Sequence, residues 1–196
     1  MTDPTLPVVV LGAGYAGVRL VHDLSRRTKG GVPIVLVDRH PVHVVRTELY
    51  ELGELAEKGS NVRKWAIPID KVVGRRGATY RQGEVESLDL AHSTVIVSGE
   101  VVPYGSLALG LGSVPAFYGV PGAESLHRVY RLSSAMRLAK ALRDAETGSS
   151  KLAAGARVRV AVVGGGSTGT EVAAEIATAD WRQLSGSSAR PPSVTL

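Results

Sequence analysis

Six residues, Gly12-Ala13-Gly14-Tyr15-Ala16-Gly17, have the GxGxxG spacing, between a β-branched run, Pro7 to Leu11 (PVVVL), and a stretch of helical periodicity. In that setting each glycine has a task. Gly12 permits a tight turn, Gly14 lets the backbone approach a diphosphate, and Gly17 lets helix and strand pack closely. The helix start offers N–H groups and partial positive charge to phosphate oxygens. Asp38 closes the next apolar run, 21 residues after Gly17, where a carboxylate can accept hydrogen bonds from a ribose 2′-OH. The alternative is a turn serving packing alone, with Asp38 a solvated strand end. Such a turn has no need of the strand, the helix start and the acid together. A second turn, Gly164-Gly165-Gly166-Ser167-Thr168-Gly169, begins 152 residues after the first, again between an apolar run and a helix. Its acidic strand end is not visible, so the packing alternative is stronger there. Two dinucleotide folds imply one nucleotide as electron donor and another as held cofactor.

Other chemistries find less support. Cysteine is absent, which removes disulfides, thiolate metal sites, cysteine nucleophiles and dithiol redox pairs. His22, His40, His43, His92 and His127 do not form a metal-ligand spacing, and no metal is expected. Ser167 lies in no GxSxG elbow. Glu171 and Glu175 share a helix face and could form an acid/base pair, with a solvated face the blander reading of Glu175. Trp65 and Trp181 read as packing residues. The net charge is +5, but basic residues are scattered and aromatics make up 5%, which disfavours nucleic acid. No secretory signal is apparent, and the apolar stretch Leu107 to Val120 is broken by Gly110, Gly112, Pro115 and Gly119. The chain reads as cytoplasmic or peripheral.

The elements that must position these residues follow from periodicity. Its 196 residues, 44% of them hydrophobic, suit one full domain and part of another. PVVVL reads as a strand buried on both faces of a parallel sheet. A helix from about Tyr15 to Lys29 follows, ended by Gly30-Gly31 through positive φ. Pro33 to Val37 is a second buried strand. Arg46 to Lys58 is expected to be helical, with Leu49, Leu52 and Leu55 spaced by three. Val85 to Leu90 and Thr94 to Val97 read as antiparallel strands, Val101 to Pro103 adds another, and Ser106 to Gly110 returns to the parallel sheet. A helix runs from Ser133, as N-cap, to Ala145, with Ala135, Leu138, Ala139 and Leu142 on one face. Thr147 to Ala156 is a linker or loop, and Arg157 to Val163 another buried strand. The helix after it has Gly169, Val172, Ala173, Ile176 and Ala177 on one narrow face. Gln183 to Ser193 is Ser/Gly/Pro-rich, and Val194 to Leu196 looks like a strand beginning. The fold class is α/β, a Rossmann-like dinucleotide-binding fold with a parallel sheet, an inserted antiparallel β segment and a second, truncated Rossmann unit. The domains are 1–122, 123–156 (crossover helix and linker) and 157–196.

The order of these features resembles the two-dinucleotide flavoprotein oxidoreductases, most closely the type II NADH:quinone dehydrogenases. The residues carrying the likeness are the two glycine turns, Asp38-Arg39-His40-Pro41 with His43, Ala66-Ile67-Pro68-Ile69, Tyr104 to Pro115, Phe117 to Gly122, and Gly164 to Glu175 (GGGSTGTEVAAE). The resemblance implies that the turn residues Gly12, Ala13, Gly14, Tyr15, Ala16 and Gly17 cradle the FAD pyrophosphate. It implies that Asp38, with Arg39 and His40, meets the adenosine ribose, that Val85 lies beside adenine, and that Thr47 is near the flavin ring. Gly110, Gly112 and Ser113 would pass the FAD phosphates and ribityl chain. Gly164, Gly166, Ser167 and Gly169 would receive the pyrophosphate of NADH or NADPH, and Glu171 would lie where nicotinamide meets flavin. The implied reaction is hydride transfer from NAD(P)H to FAD and on to a quinone. A ferredoxin reductase-like enzyme or a non-catalytic nucleotide-binding remnant is the alternative. The resemblance further implies a last FAD-domain strand, a Gly-Asp segment and a C-terminal amphipathic region docking on the inner face of the cell membrane, none of them present here. Gly105 stands where the family usually has Asp. Poor quinone reduction and weak FAD affinity are expected of this chain alone, and its oligomeric state is unreadable.

Overall fold

Four branched apolar residues in succession leave a strand with no polar face, and β1 (Val8–Leu11) is accordingly covered on both sides. It lies in a parallel sheet with β2 (Ile34–Asp38), β5 (Ala78–Gln82) and β9 (Ser106–Leu109), in the order β5-β2-β1-β9. The computed structural model describes residues 6–52, 55, 61–74, 77–148, 157–180 and 191–196. Contacts divide the chain into two units, Met1–Val44 with Ala66–Val114, and Val45–Trp65 with Pro115–Leu196.

In the first unit, successive strand side chains point to opposite faces. Val10, Ile34 and Leu36 face α1 (Tyr15–Thr28) and the short α2 (Ile69–Val73), meeting Val21, Ile69 and Val73. Val9, Leu11 and Val37 face the other way, against Val95, Val97, Val102 and Tyr104. Those four come from β7 (Thr94–Val97), β8 (Glu100–Pro103) and the residue after it. With β6 (Val85–Asp89) they form the expected antiparallel sheet, in the order β6-β7-β8. It occupies the layer where a doubly wound fold commonly has further helices. Val9, Val10, Leu11 and Leu36 have no exposure, and each buried aliphatic side chain contributes about 1.5–3 kcal/mol. A small antiparallel pair, β3 (Val42–Val44) with β4 (Ala66–Pro68), brackets residues 45–65. Strand β9 pairs with β1, and its terminal Leu109 is 65% exposed.

In the second unit, 3-10 turns span Arg46–Glu48 and Val62–Lys64. Helix α3 is Leu132–Gly148, and β10 (Arg159–Ala161) leads to α4 (Ser167–Thr178). Strand β11 (Ser193–Thr195) pairs in parallel with β10. Trp65, Leu49, Leu52 and Leu55 are buried, as are Ala135, Leu138, Ala139 and Leu142 along one face of α3. Trp65 is a packing residue, its Nε1–H donating to the Glu48 carbonyl at 3.2 Å and to Glu51 Oε2 at 3.1 Å. Among the described residues, no helix is long and apolar enough to cross a membrane.

Several local expectations are corrected. Ser133 does not cap α3 but lies inside it, because the helix already begins at Leu132. Ser134 instead serves the start, its Oγ accepting from Arg131 N–H at 3.0 Å and donating to the Arg131 carbonyl at 2.8 Å. Thr147 and Gly148 extend α3 rather than opening a loop. The stretch from Arg46 starts as a 3-10 turn instead of an α-helix, although Leu52 and Leu55 are helical. Helix α1 stops at Lys29, which itself takes φ +51°; Gly30 follows at +75° and Gly31 needs no positive φ. The strand expected over Arg157 to Val163 narrows to three residues with both ends exposed, since among the described residues its sheet has two strands. Trp181, most of the Thr147–Ala156 segment and most of the Ser/Gly/Pro-rich tail lie outside the described residues.

Candidate functional site

The parallel sheet has its reversal of direction between β1 and β9. After β1 the chain builds outward through β2 and β5, then returns on the other side of β1 as β9. Ligands of open α/β sheets bind at such a point, beyond the carboxyl ends of the strands. The first glycine turn lies there.

Its backbone is tightly interlocked. Gly12 has φ +98°, and a Cβ added to it would lie 2.2 Å from the Gly110 carbonyl oxygen. A Cβ on Gly17 would lie 1.9 Å from the Gly12 carbonyl oxygen. Main-chain bonds fasten the three strand ends together: Gly12 N–H donates to Val37 at 2.7 Å and Gly110 N–H to Leu11 at 2.7 Å. Gly14 differs. It is exposed, and a Cβ there would meet nothing within 4 Å. It is the N-cap of α1, with no side chain capping the helix start and no acidic residue in the first turn. An open glycine at an uncapped helix N-terminus is suited to a phosphate.

Asp38 reaches this turn. Its Oδ2 accepts from Ala13 N–H at 2.7 Å and its Oδ1 from His40 N–H at 2.8 Å. A carboxylate has about four acceptor sites, so capacity remains for ribose hydroxyls. The loop after Asp38 is held from β5. Tyr80 OH donates to the His40 carbonyl at 2.9 Å, and Gln82 Nε2 to the Arg39 carbonyl at 3.1 Å. Burial, with the Asp38 charge second, pushes the Tyr80 hydroxyl above its usual range, so it remains a donor at neutral pH. Arg39 pairs with Glu84 at 3.1 Å, and His40 is exposed. Val85 is half-buried against the core beside a β-bulge in β6. Gly112, at φ +78°, and Ser113 are exposed beyond the end of β9.

The first unit thus brings together residues 12–17, Asp38, Arg39, His40 and Gly110. Sequence reasoning missed Tyr80 and Gln82, whose side-chain hydrogen bonds no local pattern announces. It also assigned no role to His43. The signal available was a histidine between two strand valines, Val42 and Val44.

The second turn lies in the second unit. Gly164 has φ +113°, and a Cβ on Gly169 would lie 1.8 Å from its carbonyl oxygen. Gly166 caps α4 without a side-chain bond. Around Gly164 and Gly166 a Cβ would meet nothing within 4 Å. Ser167 opens the helix, and Glu171 is exposed on it. In the β10–β11 register Ala161 lies opposite Thr195, and no acidic residue stands on β11. Thr47, also in this unit, is exposed within the Arg46–Glu48 turn. Beside it Arg46 donates to Tyr130 OH at 3.2 Å and lies 4.8 Å over its ring.

Comparison with known proteins gives the family and the fold. The family described as pyridine nucleotide-disulphide oxidoreductase matches residues 6–184. The chain is 28% identical over 187 residues to the demethylphylloquinone reductase NdbB of Synechocystis, covering 90% of this chain and 44% of that protein. It is 28% identical over 194 residues to the type II NADH:quinone oxidoreductase NdhA of Mycobacterium tuberculosis, covering 91% and 39%. The chain therefore spans less than half the length of these relatives. The fold matches NDH2 from Plasmodium falciparum, solved in complex with NADH, with a TM-score of 0.70 at 21% identity, over 91% of this chain and 37% of that one.

Proposed function

The chain belongs to the pyridine nucleotide-disulphide oxidoreductase family, and from that premise we propose that it is part of an FAD-dependent oxidoreductase passing electrons from NADH or NADPH to a quinone. Residues 1–122 are the FAD-binding part, 123–156 the crossover helix and linker, and 157–196 the start of the NAD(P)H-binding part. The observation that carries this reading is the first turn, where an open Gly14 heads an uncapped helix and the Asp38 carboxylate is bonded to the Ala13 N–H beside it. The quinone as acceptor is supported by the relatives named demethylphylloquinone reductase and NADH:quinone oxidoreductase. With no cysteine in the chain, a dithiol route of the kind the family description names has no residues to use.

FAD, when bound, supplies the hydride-accepting chemistry. The protein supplies position and electrostatics. Main-chain N–H groups at the start of α1 hold the diphosphate, and Asp38 accepts from the adenosine ribose. Arg39 and His40 border that ribose, Val85 meets the adenine, and Thr47 stands near the flavin. Gly110, Gly112 and Ser113 would pass close to the FAD phosphates and ribityl chain. Gly164, Gly166, Ser167 and Gly169 hold the nicotinamide nucleotide's diphosphate, and Glu171 borders the place where nicotinamide meets flavin. The protein works in the cytoplasm, peripheral at the inner face of the cell membrane.

The test is spectroscopic. Protein incubated with excess FAD and desalted should retain a bound-flavin absorbance, and anaerobic NADH should bleach it. Desalted protein with no flavin absorbance would sink the proposal. Flavin retained but untouched by NADH and NADPH would reduce it to a flavin-binding unit.

A further inference from the structure

We infer that His43 is a positioning residue for the first glycine turn, orienting its Ala13–Gly14 peptide for a diphosphate; the inference rests on the FAD reading of that turn. His43 is 7% exposed, at the centre of β3, with its backbone opposite Ile67 of β4. Its Nδ1 lies 2.8 Å from the Ala13 carbonyl oxygen. A carbonyl oxygen only accepts, so the proton sits on Nδ1 and the imidazole donates. The Tyr15 ring stands edge-on to the imidazole, with centroids 5.2 Å apart and an interplanar angle of 86°. That contact limits the ring's rotation about its own bond to the strand.

Both main-chain polar groups of Ala13 are thereby fixed from outside the turn. Its N–H is bonded to Asp38 Oδ2 and its carbonyl to His43. The consequence falls on the next residue. In a planar trans peptide the carbonyl of one residue and the N–H of the next point in opposite directions. With the Ala13 carbonyl drawn towards buried His43, the N–H of the exposed Gly14 is aimed away from the imidazole. Without the imidazole the Ala13–Gly14 peptide could rotate, and the phosphate would have to restrain it on binding. Pre-orienting a binding group raises affinity by removing that ordering penalty.

The experiment titrates FAD against the full chain by flavin fluorescence, for the unsubstituted protein, His43→Asn and His43→Gln. An Asn amide can place an N–H near the Nδ1 position, whereas the longer Gln places its own near Nε2. We expect H43Q to bind FAD about tenfold more weakly, the effect of one lost hydrogen bond to a binding group, and H43N to recover most of that loss. A general packing defect gives no such recovery. Imidazole ¹⁵N spectra of the unsubstituted protein give a second readout that needs no variant, with His43 protonated on Nδ1 when neutral. Equal affinities for H43Q and the unsubstituted chain, no recovery in H43N, or a proton on Nε2 would each overturn the inference while leaving the FAD reading intact. An unsubstituted chain that takes up no FAD overturns both.

Discussion

Gly12 and Gly164 hold the same place in their turns, at φ +98° and +113°, and each has a glycine five residues on whose Cβ would collide with its carbonyl. The caps match as well, Gly14 and Gly166 both having φ −74° and extended backbone. What differs is the surroundings. A Cβ on Gly12 would strike Gly110, just past the end of β9, and the N–H of the following Ala13 is bonded to Asp38, whereas a Cβ on Gly164 would meet nothing within 4 Å. The pair teaches that glycine spacing is enough to shape the backbone of a dinucleotide turn. Its stiffness and its specificity come from strands far away in sequence.

The comparison can be broken most directly with Gly12→Ala against Gly164→Ala. Both force a side chain into an unfavourable backbone region, at about 1–3 kcal/mol. Only Gly12→Ala adds a main-chain collision, so its loss of stability should exceed about 4 kcal/mol in denaturant unfolding. Equal losses would mean that Gly110 gives way easily and that the turns are alike. Next in size is ligand selectivity. Gly14→Val has room for its side chain and should leave the melting temperature nearly unchanged while weakening FAD uptake tenfold or more, on the order of 1.4 kcal/mol. Gly166→Val should keep the flavin and lose its reduction by NADH. Loss of flavin from both variants would show that the turns do not divide the nucleotides between them.

Asp38→Asn sharpens the contrast more gently. The amide can still accept from one of the two N–H groups, but the charge is gone. A charge-assisted bond contributes about 1.5–3 kcal/mol, and FAD affinity should fall within that range by calorimetry. The smallest effect lies on the helices. Helix α1 has the exposed Arg19–Asp23 pair at 2.8 Å, while α4 has no basic residue. The Arg19 guanidinium, with lesser help from His22 and Arg26, holds the Asp23 carboxyl below its usual range. A depressed acid contributes stability above its unfolded value and loses it as pH falls through its folded value. Asp23→Asn should therefore cause a slight destabilisation at pH 7 that fades progressively as pH falls below about 4. A difference that persists in strong acid would assign the effect to something other than charge.

The parallel strands and the first turn were legible because their information is local. An unbroken apolar run such as PVVVL can be satisfied only between two covering layers, and glycine spacing reports a backbone need directly. The antiparallel segment was legible from its period of two, but not that it would cover a face of the parallel sheet. That depends on which of Val9 and Val10 turns towards it, a choice a continuous apolar run does not encode. The start of α3 was misread by two residues because Ser133 and Ser134 stand side by side, and the cap is settled by which hydroxyl reaches the Arg131 N–H. The anchoring of the Asp38 loop by Tyr80 and Gln82 joins residues about 40 apart in the chain, where no periodicity speaks.

Gly12 and Gly110 meet main chain to main chain, but not symmetrically: a Cβ on Gly12 would lie 2.2 Å from the Gly110 oxygen, whereas a Cβ on Gly110 would come no nearer than 3.2 Å to the Leu11 oxygen and would make an ordinary 3.4 Å contact with Gly17 N. The tolerance is set at Gly12, not at Gly110. A descendant sequence bearing alanine at Gly12 must have widened the gap between β1 and β9, so the separation of those strands becomes a ruler for how far the lineage has drifted.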